Sequence, residues 1–422
     1  MNYLLFIIYL IVVSWALTRS AFLRKAGMPA GVIVGLFVLK VLVGCFNVWL
    51  SYKLSPIPDV EMYHAESVKE YHLLFNEPLQ YFTNIFHSGY ATGYDTMLKP
   101  GTSYWNDLTS NLIIKFLSVC NIFSGGNFYI NLIFFNALCF FGITGLYRVF
   151  VQVFKHRWIP LITCFLLPTV LFYSSVTHKD GFILAAIGTI FYNMYRLLED
   201  GSKLVLRIGI IVALLFLMLL LRNYSALAMV PVLLFWYLIA HKKITIGKAV
   251  LGVYGMGLVL FFGVGYIFPT LNFPLFIAQK QEAFLGLPKP NTYIELQTLE
   301  PHFISFVMNL PQALAHVFLR PWWGDLQKSI YLLPHIVEWT IYILALVVYL
   351  AFRIKSISKP ALQFIWVGLL FSLPILCIIG YTVPVLGAIV RYRTIVLPFL
   401  LTPVFCLTNW SLISSKFNII KK

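Results

Sequence analysis

Long apolar runs separated by short polar turns set the plan of this chain. Scanned with a window of about 19 residues, the sequence shows hydrophobic stretches near 2–17, 28–51, 127–150, 158–176, 181–197, 204–221, 224–240, 247–268, 330–352, 360–380 and 389–410. Most approach the ~20 apolar residues that a helix needs to cross about 30 Å of hydrocarbon. In lipid a helix satisfies its backbone N–H and C=O groups within its own segment. The predicted fold class is therefore all-α, a polytopic transmembrane helical bundle of about eleven spans. No repeat of fixed period and no Pro, Gly and Ser linker divides it, so residues 1–422 read as a single membrane domain with two long loops, 52–126 and 269–329.

Composition agrees with the pattern. Of 422 residues, 60% are hydrophobic, 17% aromatic and 11% charged, where an ordinary soluble chain has about 25% charged. This excludes a soluble globular enzyme, a disordered chain and a disulfide-stapled scaffold. Cys45, Cys139, Cys164, Cys377 and Cys406 fall inside apolar runs, and Cys120 lies on a predicted interfacial helix.

The net charge of +16 acquires meaning only when sorted by side. Alternate short connections carry Arg19, Arg24, Lys25; Arg148, Lys155, Arg157; Arg196, Lys203, Arg207; Lys242, Lys243, Lys248; Arg353, Lys355, Lys359; and Lys416, Lys421, Lys422. Those 18 of the 31 basic residues are accompanied by only Glu199 and Asp200. Basic residues mark the cytoplasmic face, so the N-terminus is expected outside and the C-terminus inside. The charge is thus an orientation signal and calls for no nucleic-acid partner. Residues 108–124 are apolar enough to tempt a twelfth span, but crossing there would reverse every later basic group, so a helix lying in the interface is expected. The first run has no basic stretch before it, and is expected to stay as an anchor.

Polar groups that sit badly in hydrocarbon collect on the outer side under this topology. Asp59, Tyr63 and His64 follow the second run; His178, Lys179 and Asp180 fill one tight turn; Arg222 occupies another; Arg320 ends the second loop in RPWWGD; and Arg391 and Arg393 open the last run. Each has a plainer explanation, since turn charges are commonly just solvated and interfacial arginines snorkel. Lys40 sits well inside a run, where it either snorkels or pairs with an acid, and Glu338 lies about two turns into another. His64 and His72 are weak metal candidates. There is no Walker loop, GxGxxG or GxSxG, so nucleotide-driven chemistry and serine hydrolysis have no support. What remains is acid and cation chemistry on an anionic, lipid-linked substrate: Asp59 accepting a proton, Arg222, Arg391, Arg393 and Lys179 holding phosphate oxygens.

The order of parts resembles the GT-C class of membrane glycosyltransferases, which draw sugars from polyprenyl-phosphate carriers. The likeness rests on an acid just after an early span with Tyr four residues on (Asp59 and Tyr63 in DVEMYH), on interfacial helices expected at 67–87 and 108–124, and on RYRTIVLP with Arg391, Tyr392, Arg393 and Pro398. SSVTHKDGF and FLRPWWGD look like elements of uncharacterised bacterial relatives. Many members pair two acids in the first loop, whereas here Val60 follows Asp59 and the next acid is Glu61. The resemblance implies an inverting transfer from a polyprenyl-phosphate-linked sugar to an acceptor glycan, lipid or protein outside a bacterial inner membrane. It makes Asp59 the general base and Tyr63, His64, His178, Lys179, Asp180, Arg222, Arg320, Arg391 and Arg393 the substrate contacts. A divalent cation is the one cofactor it would allow. The rival readings are a lipid-linked polysaccharide polymerase or ligase, a transporter or flippase, and a membrane scaffold.

Overall fold

The computed structural model describes residues 3–54, 58–91, 93–94 and 103–416. Lys421 and Lys422, counted above among the basic groups, lie outside them. The fold is all-α: the described residues hold two isolated β-bridges, Tyr293 with Val385 and Arg353 with Thr408, and no longer strand. The main helices are α1 (Tyr3–Arg19), α2 (Ala30–Leu54), α3 (Asp59–Asn76), α4 (Tyr104–Ser124), α5 (Phe128–Phe154), α6 (Pro168–Ser174), α7 (Lys179–Asp200), α8 (Leu204–Ala240), α9 (Ile246–Ile267), α10 (Phe273–Leu285), α11 (Phe303–Phe318), α12 (Leu333–Phe352), α13 (Lys359–Thr382), α14 (Leu386–Arg393) and α15 (Leu397–Cys406).

Eleven spans are not what the chain forms. Among the described residues seven helices are long and apolar enough to cross a membrane, in α2, α5, α7, α8, α9, α12 (counted from Ile330) and α13, or eight if the bent pair α14 and α15 is one span. These are the helices of a multi-pass membrane protein. Three local causes account for the difference. The run at 2–17 becomes α1, whose 17 residues reach only about 25 Å at 1.5 Å per residue. The run at 158–176 is broken, because Pro168 holds the preceding Leu167 in extended backbone (ψ 124°) after a π-helical turn at Ile162–Leu166. The runs at 204–221 and 224–240 are two helices that meet directly at a kink, where Arg222 leaves helical backbone (φ −157°, ψ 79°), and the stretch Leu204–Ala240, α8 here, counts once among the seven. Seven crossings leave the termini on opposite faces, as eleven would, and eight leave them on the same one. Residues 108–124 are helical within α4, which is not among the spans.

The chain forms two compact units, residues 1–149 with 164–226, and residues 150–163 with 227–416 of the described chain. In the first, α5 and α7 cross at small residues. A Cβ built on Gly188 would lie 2.1 Å from the Gly142 carbonyl oxygen, and one on Gly142 would lie 2.2 Å from that of Ala185. Glycine is required on both sides of that crossing. In membranes such close backbone approach replaces the hydrophobic drive that water supplies elsewhere. Nearby α3 and α4 are joined by a half-buried ion pair, Lys115 Nζ to Glu70 at 2.6 Å, with the ammonium 3.6 Å over the Tyr81 ring.

In the second unit α11 packs on α13 through Phe306, Ala313 and Tyr381, and the Tyr381 hydroxyl donates to the Phe306 carbonyl at 2.8 Å. Phe150 stands edge-on to Phe364 and to Phe399, both at 5.6 Å between ring centroids.

Candidate functional site

Local sequence rules put two acids at helix N-termini in the first unit. Pro58 is in extended backbone, and Asp59 opens α3; His178 is likewise extended before α7, with Asp180 in the first turn. A carboxylate there faces unpaired backbone N–H groups and the positive end of the helix dipole. Packing then joins what sequence separates. Asp180, fully buried, accepts a hydrogen bond from or shares a proton with His178 Nδ1 at 3.0 Å, and it forms an ion pair with Arg222 at 2.5 Å. The other imidazole nitrogen, Nε2, lies 3.7 Å from the Asp59 carboxylate. The result is one chain of groups, Asp59, His178, Asp180 and Arg222. Its inner three side chains are at most 5% exposed, while that of Asp59 is 63% exposed.

The bend in α8 serves this arrangement. Arg222 leaves the helical path at the position where its guanidinium meets Asp180, and it also lies 5.9 Å from the Tyr224 ring. A buried ion pair survives only when each charge is matched, and here the carboxylate has a cation on one side and an imidazole on the other.

Lys40 holds the turn that carries His178. The choice between snorkelling and pairing with an acid is answered differently: its Nζ donates to the Ser174 carbonyl at 2.7 Å, the Ser174 hydroxyl at 2.6 Å and the Ser175 hydroxyl at 3.2 Å. The Asn136 amide donates to the Ser175 carbonyl at 2.8 Å. Gly44 makes room for that carbonyl, since a Cβ there would lie 2.4 Å from its oxygen. Two helices therefore fix residues 174 and 175 before α7 begins. No local pattern in SSVTHKD announces this, because the partners come from α2 and α5.

Tyr63 lies beside His178, with ring centroids 6.0 Å apart, and Lys179 begins α7. His64, on the same helix as Tyr63, instead packs its ring 4.9 Å from that of Phe128. Its Nδ1 is buried without a hydrogen-bond partner, and burial holds its pKa below the usual histidine value against the opposing pull of Glu61.

Arg320, Arg391 and Arg393 belong to the second unit. The buried Arg393 donates from one nitrogen to the Val317 and Arg320 carbonyls, both at 2.7 Å, and its guanidinium lies 3.9 Å over the Trp339 ring. Arg320 donates to Asp325 at 2.9 Å, and the other oxygen of that carboxylate accepts from the Trp322 N–H at 2.8 Å. Arg391 is half-buried in the last turn of α14. Glu338, noticed in the sequence as an acid inside a span, accepts from the Tyr342 hydroxyl one turn on, with His335 Nδ1 at 3.9 Å. The part of Trp339 as a platform for Arg393 has no sequence signal beyond the residue type.

Among the described residues no group of three or more His, Cys, Asp or Glu side chains is placed to hold a metal ion. The donor set of the described residues thus gives a divalent cation no evident seat. The arrangement can orient an imidazole, pair a buried carboxylate with a guanidinium and present an exposed carboxylate next to the ring. Compared with protein-family models, curated proteins and solved structures, the chain matches none.

Proposed function

We propose that the protein is a membrane glycosyltransferase of GT-C character, moving a sugar from a polyprenyl-phosphate carrier to an acceptor hydroxyl at the extracytoplasmic face of a bacterial inner membrane. The observation that carries this reading is the junction of exposed Asp59 with the buried His178, Asp180 and Arg222 at the ends of apolar helices. A lipid-linked donor brings its reacting atoms to that depth, and an acceptor hydroxyl needs a proton acceptor where it attacks. Asp59 touches the acceptor hydroxyl in this scheme. Helix N-termini at α3 and α7 favour the negative charge of a departing phosphate. Lys40, the cation deepest in a span, is taken up by Ser174 and Ser175, which leaves a transporter reading without a charged contact there.

The test is direct. Purified protein in vesicles of bacterial phospholipid, given a radiolabelled polyprenyl-phosphate sugar and a membrane glycan extract, should release polyprenyl phosphate and label the acceptor. Asp59→Asn should slow that transfer at least tenfold. Transfer by Asp59→Asn at the wild-type rate, with the protein still monodisperse in detergent, sinks the assignment of Asp59 to the site.

A further inference from the structure

The short links at one end of the second unit gather cations without acids. Lys155 and Arg157 follow α5, Lys242 and Lys243 follow α8, and Lys359 opens α13; all are exposed. The ring of Phe364, early in α13, lies 6.3 Å from that of Phe154, the last residue of α5, and 5.3 Å from that of Trp236, near the end of α8. The Gln363 amide donates to the Ile239 carbonyl at 3.0 Å. The ends of α5 and α8 and the start of α13 thus converge. Exposed Arg353 and Lys355 lie in the link from α12 to that start, and the bridge from Arg353 to Thr408 ties in residues 410–416. The adjoining α9 packs its Tyr254 ring 6.4 Å from that of Phe235, and carries exposed Lys248 in its first turn. No Asp or Glu stands in residues 155–163, 240–250, 353–360 or 407–416.

Helix ends explain only part of this charge. Lysines after α5 and α8 suit the negative end of the helix dipole. Lys248 and Lys359 stand at the opposite, positive ends of α9 and α13, where acids are favoured and neither first turn has one. Those like charges are relieved when an anion joins them. In the first unit, by contrast, Arg196 is paired with Glu199 and Asp200, Arg207 is buried against Ser202, and Arg148 lies against the rings of Phe22 and Tyr192 at 4.8 and 4.7 Å. Two exposed indoles set the depth of the basic end: Trp158 follows Arg157, and Trp410 lies beside Thr408. Tryptophan prefers the headgroup level of a bilayer, which favours a lipid over a soluble acidic partner. We propose that this end of the second unit binds the headgroups of anionic phospholipids, its lysines and arginines meeting the phosphates. The proposal is independent of the glycosyl-transfer reading.

The test is binding to the full chain in nonionic detergent, read by native mass spectrometry, with dioleoyl phosphatidylglycerol, dioleoyl phosphatidylcholine, inorganic phosphate and polyglutamate as separate probes. Wild type should hold phosphatidylglycerol about tenfold or more tightly than phosphatidylcholine, and the preference should shrink as salt rises from about 50 to about 300 mM. Lys242→Gln with Lys248→Gln and Lys359→Gln should bring the two lipids to within about threefold of each other, with the thermal midpoint unchanged. If that triple variant lowers the midpoint, Lys359→Gln alone carries the test and should lose about threefold of the preference. Arg19→Gln with Arg24→Gln and Lys25→Gln removes as many exposed cations from the first unit and should keep the preference. Equal binding of the two lipids by wild type, or a preference indifferent to salt, overturns the proposal. So does an equal loss in the two triple variants, which would make the charge a diffuse orientation signal. Displacement of phosphatidylglycerol by inorganic phosphate at equal concentration, or tighter binding of polyglutamate, overturns it in favour of a free anion or an acidic protein.

Discussion

The carboxylate of Asp180 and the guanidinium of Arg222 meet at 2.5 Å, each with a side chain at most 5% exposed, although one begins α7 and the other sits at the bend of α8. Removing one partner of such a pair leaves a buried charge uncompensated and costs about 3–5 kcal/mol, while replacing both by apolar groups is often neutral. Arg222→Met should therefore lower the thermal midpoint in detergent sharply, and Arg222→Met with Asp180→Leu should recover much of the loss. A double variant as unstable as the single one would count against the pairing.

The crossing of α5 and α7 admits no side chain at its centre. Gly188→Ala would drive a Cβ to 2.1 Å from a backbone oxygen, which only a shift of the helices relieves. Overpacking of this kind costs about 1–3 kcal/mol or more. Gly209→Ala, where an added Cβ meets nothing within 4 Å, is the control. The yield of monodisperse protein should fall for the first and hold for the second.

Lys40 links α2 to residues 174 and 175 by three donors. Lys40→Met keeps the stem and removes the donors, leaving polar groups buried and unsatisfied at a cost of about 1–3 kcal/mol. Hydrogen exchange should quicken in residues 174–181 ahead of the rest of the first unit. Unchanged exchange there would mean that the turn holds itself.

His64 makes stability depend on pH. Its pKa is held below the ordinary histidine value by burial, so the unfolded chain binds the proton more readily than the folded one. Stability from this group is complete above the unfolded value of about 6.5 and declines as pH falls through that value toward the lower folded one. His64→Phe, beside Phe128, should flatten the fall in thermal midpoint between about pH 7 and pH 5. His316 is shifted in the same direction, by burial first and then by Arg320, so part of the slope should persist.

Several features of the site were legible as residue types and not as contacts. Asp59, His178, Asp180 and Arg222 stand out because charges beside apolar runs need a reason, and acids at helix N-termini have one in the backbone. That the imidazole lies between two carboxylates could not be read, since Asp180 is two residues away but Asp59 comes from α3, far off in the chain, and Arg222, which pairs with Asp180, comes from α8. Arg393 attracted attention for the same reason as Arg222, yet it lies on the Trp339 face and binds the Val317 and Arg320 carbonyls. Identical side chains on apolar helices take different partners according to what packing brings near.

Sequence alone determined that the chain is helical and crosses a membrane several times, because long apolar segments have no other way to satisfy their backbone in lipid. It also determined where the cations cluster, +16 in net charge for the whole chain. Tertiary structure decided how many helices are long enough to span, since Pro168 interrupts one apolar run and two others meet without a loop at the kink of Arg222. It decided as well that Lys40 is a clamp and that His178 stands between Asp59 and Asp180. Hydropathy is a property of a segment and survives in the order of residues; the geometry of a side-chain cluster depends on which segments touch, and that is set by close approaches such as Gly188 on Gly142.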